Sequence, residues 1–156
     1  MSFILNLIFV LELIYLLVPA ALANMMPVFV KKFNFLNYPI DFGLKWRKNR
    51  LFGANKTFRG FFFGILGSLI AIIIQSFLYK YYFFYKHSLI EYNNINILFF
   101  DLFSGFFVLL FDAIASFIKR RMNFKPGESF YVLDQINGGL GFGLFLFLFS
   151  IMQKWT

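Results

Sequence analysis

The sequence predicts an all-α integral membrane protein, a bundle of about four transmembrane helices with two basic cytoplasmic loops. Hydrophobic residues make up 60% of the 156 residues and charged residues only 14%, well below the roughly one quarter typical of soluble domains. The mean hydropathy is +0.73. Four segments have the length of about 20 apolar residues that a helix needs to cross a bilayer. These observations disfavour soluble enzymes and disordered chains, and the lack of Cys excludes disulfide and thiolate chemistry.

The four apolar segments define the predicted spans of a single transmembrane domain. They cover roughly residues 3–23, 60–79, 97–118 and 136–152. The first segment has no Lys or Arg before its apolar run and contains Glu12, so we interpret it as a retained helix and not as a signal peptide. Glu12 is an ionisable group within a span, where it could pair with a cation, form hydrogen bonds within the bundle or act in function.

The distribution of basic residues predicts the orientation. Eight of the 15 Lys and Arg residues lie in the first connection, over residues 24–59, and four lie in the third, over residues 119–135. Such residues concentrate in the cytoplasmic loops of membrane proteins. We therefore expect a multi-pass protein of the cell membrane whose active site faces the cytoplasm. Because the net charge of +8 then reports topology, no nucleic-acid partner is expected.

The third span carries the strongest candidate site. At about 100° per residue, one face of this helix holds a stripe of polar or small residues: Asp101, Gly105, Asp112, Ser116 and Lys119. A polar face on an apolar helix points toward protein or a water-filled cavity. The stripe leads into Lys119-Arg120-Arg121, and cations beside a carboxylate suit a metal-bound phosphate. The alternative for Asp112 is a structural salt bridge in a helix-packing seam.

A second carboxylate is expected beside Asp112. Asp134 lies at the entry of the fourth span, where a short hairpin could bring it opposite Asp112. Magnesium binds one or two carboxylates together with substrate phosphate oxygens and water. The two residues are therefore a candidate pair of ligands. The alternative is that Asp134 only caps the fourth helix, as Asp often does.

The end of the first loop combines cations, an amide and a hydroxyl with two glycines. Its sequence is Arg50-Leu51-Phe52-Gly53-Ala54-Asn55-Lys56-Thr57-Phe58-Arg59-Gly60. It could wrap a phosphate where the second helix begins and exposes free backbone amides. The alternative is that these cations bind anionic lipid headgroups or only fix the orientation. Separately, two glycine pairs spaced four residues apart, Gly60 with Gly64 and Gly139 with Gly143, predict close helix contacts.

Several sequence blocks, taken in order, resemble those of one family. They are Asn24 to Pro27, Pro39-Ile40-Asp41-Phe42-Gly43, Arg50-Leu51-Phe52-Gly53, Asn55-Lys56-Thr57-Phe58-Arg59-Gly60, Asp112 with Ser116 and Lys119-Arg120-Arg121, Pro126-Gly127-Glu128-Ser129 and Leu133-Asp134-Gln135. This pattern, from about residue 19 to residue 145, is similar to the CDP-archaeol synthase family, whose catalytic motif is similar to that of phosphatidate cytidylyltransferase. The resemblance implies transfer of the cytidylyl group of CTP to a lipid phosphate, archaeol-type or diacyl, with Mg²⁺ and release of pyrophosphate.

The resemblance also implies roles for individual residues. Asp112 and Asp134 look like the metal-binding carboxylates, with Lys119 as a further catalytic residue. The residues that resemble ligands of the nucleotide or lipid phosphate are Ser116, Arg120, Arg121, Lys56, Thr57, Arg59, Asn55 and Arg50, with Asn24 and Asp41 in positions that resemble supporting ones. The family usually has a second Asp where this chain has Asn137. An amide oxygen can still bind magnesium, so Asn137 is a third candidate ligand, although it lacks the charge.

Two other function classes stay open. A small four-helix transporter would use Glu12 and Asp112 to carry protons or to pair with substrate. A catalytically inactive relative would bind lipid or nucleotide without turnover, and the amide at Asn137 favours that alternative. The expected partners are CTP, a lipid phosphate and the membrane. A bundle this small could also complete its lipid-facing surface as a homodimer.

Overall fold

A computed structural model describes residues 2–153 of the chain, which form four long helices and several short elements. The long helices are α1 (Ser2–Phe29), α2 (Phe58–Leu78), α4 (Ile97–Arg121) and α5 (Tyr131–Gln153). The short elements are a helix α3 (Tyr82–His87), 3-10 turns at Val30–Lys32 and Tyr92–Asn94, and strands β1 (Lys45–Trp46) and β2 (Asn49–Arg50). The two strands form an antiparallel hairpin in which Lys45 lies opposite Arg50.

Four helical stretches are long and apolar enough to cross a membrane, which confirms the predicted fold class. They are Leu5–Lys32, Phe58–Leu78, Ile97–Arg121 and Tyr131–Gln153. Helix α1 continues past its predicted end near residue 23, because Pro19 and Pro27 are accommodated inside it, as prolines often are in membrane helices. Helix α5 begins at Tyr131, before its predicted start, since its first turn contains Asp134 and is not apolar.

The first glycine pair makes the predicted close contact between α2 and its neighbours. A Cβ atom added at Gly64 would clash with the carbonyl of Ala23 in α1 and with the side chain of Leu109 in α4. A Cβ atom at Gly60 would lie 3.3 Å from Pro27. These glycines therefore let α2 approach α1 and α4 closely.

The second glycine pair does not make the contact predicted for it. Within residues 2–153, nothing lies within 4 Å of a Cβ atom built at Gly139 or Gly143. The neighbouring Gly141 instead lies against the backbone of Phe107, so it allows α5 to approach α4. The prediction was wrong because spacing alone does not say which of several glycines on a helix faces the bundle.

Glu12 lies at the end of the bundle away from the two basic loops and has a partner there. Its Oε1 lies 2.9 Å from Nδ1 of His87 in α3. The pair borders an apolar cavity of about 340 Å³ together with Tyr15 and Phe84. The observed pair favours the structural interpretation of Glu12, in which it ties α1 to the connection after α2.

The two basic loops lie together at the other end of the bundle. The Asn49 side chain donates a hydrogen bond to the carbonyl of Arg120 at 2.9 Å. Arg121 donates to the carbonyl of Trp46 at 2.8 Å. The hairpin of the first loop is thereby tied to the C-terminal end of α4. Assignment of this end to the cytoplasm stays a prediction from charge.

Candidate active site

Two adjoining cavities open at the basic end of the bundle and collect most of the predicted site residues. The larger, of about 540 Å³, is lined by Asn55, Lys56, Thr57, Arg59, Asp112, Lys119, Asp134 and Asn137, among others. The smaller, of about 140 Å³, shares Asn55, Lys56, Lys119 and Asp134 with the first and adds Ser116 and Arg120. The structure thus brings together residues from the first loop, α4 and α5.

Asp112 of α4 is the point where these three segments meet. Its Oδ2 accepts a hydrogen bond from the ammonium group of Lys56 in the first loop. Its Oδ1 accepts from the side-chain amide of Asn137 in α5 at 3.2 Å. The salt bridge expected as the structural alternative is therefore present. The carboxylate nevertheless stays accessible: the Asp112 side chain is 26% exposed and lines the larger cavity.

Asp134 has two partners, one at the cavity and one at the start of α5. Its Oδ1 accepts from Lys119 Nζ at 2.7 Å, and its Oδ2 accepts from the backbone N–H of Phe130 at 2.9 Å. The second bond reaches back to the residue before the helix, in the manner of a capping box. Lys119 also donates to the carbonyl of Glu128 at 3.2 Å. Capping and a role in the site are thus both compatible with the position of Asp134.

The backbone amides at the start of α2 are already satisfied, which corrects the expectation that they are free to bind a phosphate. The N–H groups of Phe58 and Arg59 donate to the carbonyls of Tyr38 and Leu36. The N–H of Gly60 donates to Oγ1 of the N-cap residue Thr57 at 3.2 Å. A phosphate at this end of the bundle therefore depends on side chains.

Two arginines that were predicted to bind phosphate instead form contacts that stabilise the first loop. Arg50 forms a salt bridge with Asp41 at 2.5 Å. The Arg121 guanidinium lies 4.6 Å from the centre of the Phe117 ring and bonds to loop carbonyls. Neither arginine lines either of the two cavities. These side chains are long enough to reach several acceptors, and their sequence position alone does not select among them.

Two other predicted phosphate ligands are buried in the cavity walls. Arg59 donates to the carbonyl of Phe33 and is 6% exposed. Arg120 donates to the carbonyl of Phe124 at 2.5 Å and is also 6% exposed. Each guanidinium has an Nε atom that no partner satisfies in the described part of the chain. Arg59 therefore contributes a buried positive charge to the wall of the larger cavity, and Arg120 contributes one to the wall of the smaller cavity.

Asp41 organises the first loop to a degree that the sequence analysis missed. Its carboxylate, 2% exposed, accepts hydrogen bonds from Arg50 and from the backbone N–H groups of Gly43, Phe52 and Gly53. Burial alone would raise the pKa of this carboxyl, but the Arg50 guanidinium and the three amides together hold the pKa below its usual value. The Asp-Phe-Gly sequence, with an Asp side chain bonded to its own turn, was the available signal.

The loop held by Asp41 forms part of the smaller cavity. Gly53 adopts a positive φ of +95°, which favours glycine. A Cβ atom at Gly53 would lie 3.7 Å from Nε of Arg120, so the loop backbone rests on that side chain. Because Phe52 and Gly53 both line the smaller cavity, the hydrogen bonds to Asp41 position one of its walls.

We expect Asp41→Asn to lower the free energy of unfolding by about 2 kcal/mol at pH 7, because charge-assisted bonds become neutral ones. A carboxyl whose pKa is lowered in the folded state contributes stability above its unfolded pKa of about 3.9. That stability is lost as the pH falls through the lower folded pKa. Thermal unfolding in detergent between pH 7 and pH 3 should therefore show a smaller loss for Asp41→Asn than for the native chain. Glu91→Gln, at an exposed acid, should behave like the native chain.

Known proteins that are similar to this chain belong to one family. The family model described as CarS-like, CDP-archaeol synthase, matches residues 4–154. A CDP-archaeol synthase of Pyrococcus furiosus is 39% identical over 131 residues, which cover 81% of this chain and 68% of the relative. One from Saccharolobus islandicus is 33% identical over 145 residues, covering 92% and 75%.

A solved structure of an intramembrane enzyme for archaeal membrane lipids biosynthesis has a similar fold. It superposes with a TM-score of 0.68 at 26% identity, covering 86% of this chain and 75% of that chain. The structural similarity extends over all but a small part of the chain, as the family match does. The chain therefore belongs to the CarS-like family of CDP-archaeol synthases.

Proposed function

We propose that this membrane protein transfers the cytidylyl group of CTP to a lipid phosphate of the archaeol type, giving a CDP-lipid and pyrophosphate. The observation that carries the proposal is the pairing of two carboxylates with two lysines in one cavity, Asp112 with Lys56 and Asp134 with Lys119. In a member of this family, that arrangement provides charged groups of both signs where two anionic substrates have to meet.

The reaction needs positioning and charge more than proton transfer. A phosphate oxygen of the lipid attacks the α-phosphorus of CTP, a new P–O bond forms, and the bond to the pyrophosphate leaving group breaks. The lipid phosphate is already anionic at pH 7, so no general base is required. Lys56 and Lys119 would offset the negative charge of the two substrates, and the lysine-lined walls would hold the reacting phosphates in line. Ser116, Asn55 and Thr57 supply neutral hydrogen-bonding groups around them.

The larger cavity fits the meeting of a lipid with a nucleotide. Its lining combines the apolar Pro27 and Val28 of α1 with a charged wall that carries Asp112 and Lys119 of α4. A lipid phosphate can therefore enter with its chains toward the membrane and its phosphate toward the charged wall. Because the smaller cavity adjoins this wall, we assign it to part of CTP.

The donor set also fits a magnesium ion shared with substrate. Asp112, Asp134 and Asn137 line one cavity and carry the oxygen donors that Mg²⁺ prefers. Within residues 2–153, no three acidic or histidine side chains are close enough to hold a metal by themselves, so substrate phosphate or water would complete the ligand set. When bound, the ion would offset charge on the pyrophosphate leaving group. Lys56 and Lys119 now neutralise the carboxylates that would hold it.

Asn137 offers a test of this metal assignment. Its amide nitrogen faces Asp112 and its oxygen accepts from the N–H of Gly138 at 2.5 Å. We expect Asn137→Asp to place a second charge beside Asp112 and to lower the Mg²⁺ concentration for half-maximal rate by roughly tenfold. The measurement is pyrophosphate release against Mg²⁺ concentration, with Asn137→Gln as the neutral control. An unchanged Mg²⁺ dependence in Asn137→Asp would remove Asn137 from the ligand set.

Pyrophosphate release by the purified protein in detergent tests the proposed function. CTP and Mg²⁺ are supplied with an ether-linked lipid phosphate, with a diacyl lipid phosphate or with no lipid. We expect release that depends on lipid and is faster with the ether-linked substrate. CTP binding without release in folded protein would favour the inactive relative. Absence of both binding and release would favour the transporter.

The cytoplasmic orientation and a homodimer also belong to this proposal. The basic end of the bundle holds both cavities, and CTP is a cytoplasmic nucleotide, so we infer that this end faces the cytoplasm of the cell membrane. To check the orientation, a single Cys is introduced at exposed Lys125 or at exposed Lys86. Each variant is then labelled from either side of sealed vesicles. Chemical crosslinking in the same vesicles checks the homodimer.

A further inference from the structure

The first loop carries a surface of large apolar side chains that the bundle does not cover. We call it the aromatic surface, and it consists of Phe33, Phe35, Tyr38, Phe42, Leu44 and Trp46. Each of these side chains is at least 58% exposed. Exposed apolar residues grouped in this way mark a contact with a membrane or with another protein. The cavities of the candidate site do not include any of them.

Ring contacts place Phe35 and Phe42 of the aromatic surface at the depth of the first turns of α2. The centre of the Phe35 ring lies 5.9 Å from that of Phe62, and the Phe42 ring lies 5.5 Å from that of Phe58. Both Phe58 and Phe62 belong to the membrane-spanning stretch and are more than a third exposed. The exposed side of a spanning helix faces lipid, so the aromatic surface extends a lipid-facing surface.

The backbone fixes the loop at this depth. The carbonyls of Leu36 and Tyr38 accept hydrogen bonds from the N–H groups of Arg59 and Phe58, at 2.8 and 3.0 Å. Arg59, itself buried, donates to the carbonyl of Phe33. Residues 33–38 are thus joined to the start of α2, and their rings cannot move away from the membrane boundary while these bonds hold.

The exposed charge of the same segment is entirely positive. Five exposed cations flank or interrupt the aromatic surface: Lys31, Lys32, Lys45, Arg47 and Lys48. The single acid of residues 31–48, Asp41, is buried and paired with Arg50. Amphipathic aromatic rings beside Lys and Arg are the side chains that anchor proteins in the headgroup region, where anionic lipids attract cations.

We propose that the aromatic surface inserts into the headgroup region of the bilayer and that the flanking cations bind anionic lipid headgroups. The first loop is then an interfacial anchor and not a water-exposed loop. Lys31 and Asn37 lie before and after Phe33 and Phe35 in the sequence, and both also line the larger cavity. If the proposed function holds, the anchor gathers anionic lipids at the mouth of the cavity that takes a lipid phosphate. The insertion itself does not depend on that function.

Trp46 is a built-in depth probe for the insertion. The chain has two tryptophans, so Trp155→Phe leaves Trp46 as the only one. The full chain is reconstituted in vesicles that contain phospholipids brominated near the headgroup end of the acyl chains. We expect the bromines to quench Trp46 fluorescence strongly and aqueous acrylamide to quench it weakly. Strong acrylamide quenching without bromine quenching overturns the proposal, because the loop is then in water. Protection from both quenchers overturns it too, since protein then covers the surface.

The contribution of the cations is tested by varying the anionic lipid content of the same vesicles. We expect acrylamide quenching of Trp46 to fall as phosphatidylglycerol replaces phosphatidylcholine. Lys45→Gln/Arg47→Gln/Lys48→Gln should lose this dependence, whereas Lys80→Gln/Lys86→Gln, at exposed cations of the other end of the bundle, should keep it. A triple variant that still responds to anionic lipid would overturn the headgroup contact. The fluorescence readout needs no turnover, so failure of the proposed function would leave it interpretable.

Discussion

Asp112→Asn should reduce lipid-dependent pyrophosphate release by roughly 100- to 1000-fold, the scale of losing one charge-stabilising group in an active site. The carboxylate contacts both Lys56 and Asn137, so it joins the first loop to α5 across the larger cavity. The amide has nearly the same volume and keeps one acceptor oxygen, which can bond to Lys56 or to Asn137. We therefore expect the variant to fold and to insert in the membrane normally, and only its turnover rate to fall.

Asp101→Asn is the matched control for this change. Asp101 lies on the same helix and the same stripe, but it is 2% exposed and bonds to Ser68 at 2.5 Å, away from both cavities. The identical chemical change there should leave the turnover rate within about twofold of the native rate, since it removes no charge from the site. If Asp112→Asn retained near-normal release in folded protein, the assignment of Asp112 to the reaction would be wrong.

The parts of the fold that hydropathy can detect were predictable. A bilayer requires long apolar helices, so four spans follow from four apolar segments. The errors occurred at the ends, where an apolar window cannot recognise a polar first turn such as that around Asp134 or a helix that continues through Pro27. The stripe on α4 also pointed inward as predicted. Its far end at Asp101 nevertheless belongs to a separate contact with Ser68.

The site was predictable for the short side chains of Asp112 and Ser116 on α4, and less so for long arginine side chains such as Arg50 in the first loop and Arg121 at the end of α4. Helical periodicity fixes the direction of Asp112 and Ser116, whereas the cations of the first loop can turn toward several acceptors. Lys56 faces the cavity and Arg50 faces Asp41, although both belong to one predicted phosphate-binding segment. The choice depends on how the loop closes around the buried carboxylate of Asp41. That closure is a tertiary property that spacing along the chain does not encode.

Asp134→Asn should also reduce pyrophosphate release by roughly 100-fold, and this change separates two roles of one side chain. Oδ2 of Asp134 closes the first turn of α5 on Phe130, and Oδ1 holds Lys119 at the cavity. An amide oxygen can still accept the bond from Phe130, so we expect the free energy of unfolding to fall by no more than about 1 kcal/mol. The negative charge opposite Lys119 is lost completely.

The comparison of rate with stability decides between these roles. Glu91→Gln changes an exposed acid outside both cavities, whose side chain accepts from the side-chain amide of Asn94 at 2.7 Å, and should leave the turnover rate nearly unchanged. A large loss of rate in Asp134→Asn at nearly native thermal stability means that the carboxylate acts on Lys119 and the substrates. A native rate would mean that Asp134 only caps α5, because the cap is the one interaction that the amide preserves. The charge of Asp134, and not its position at the start of a helix, is therefore what the proposed reaction requires.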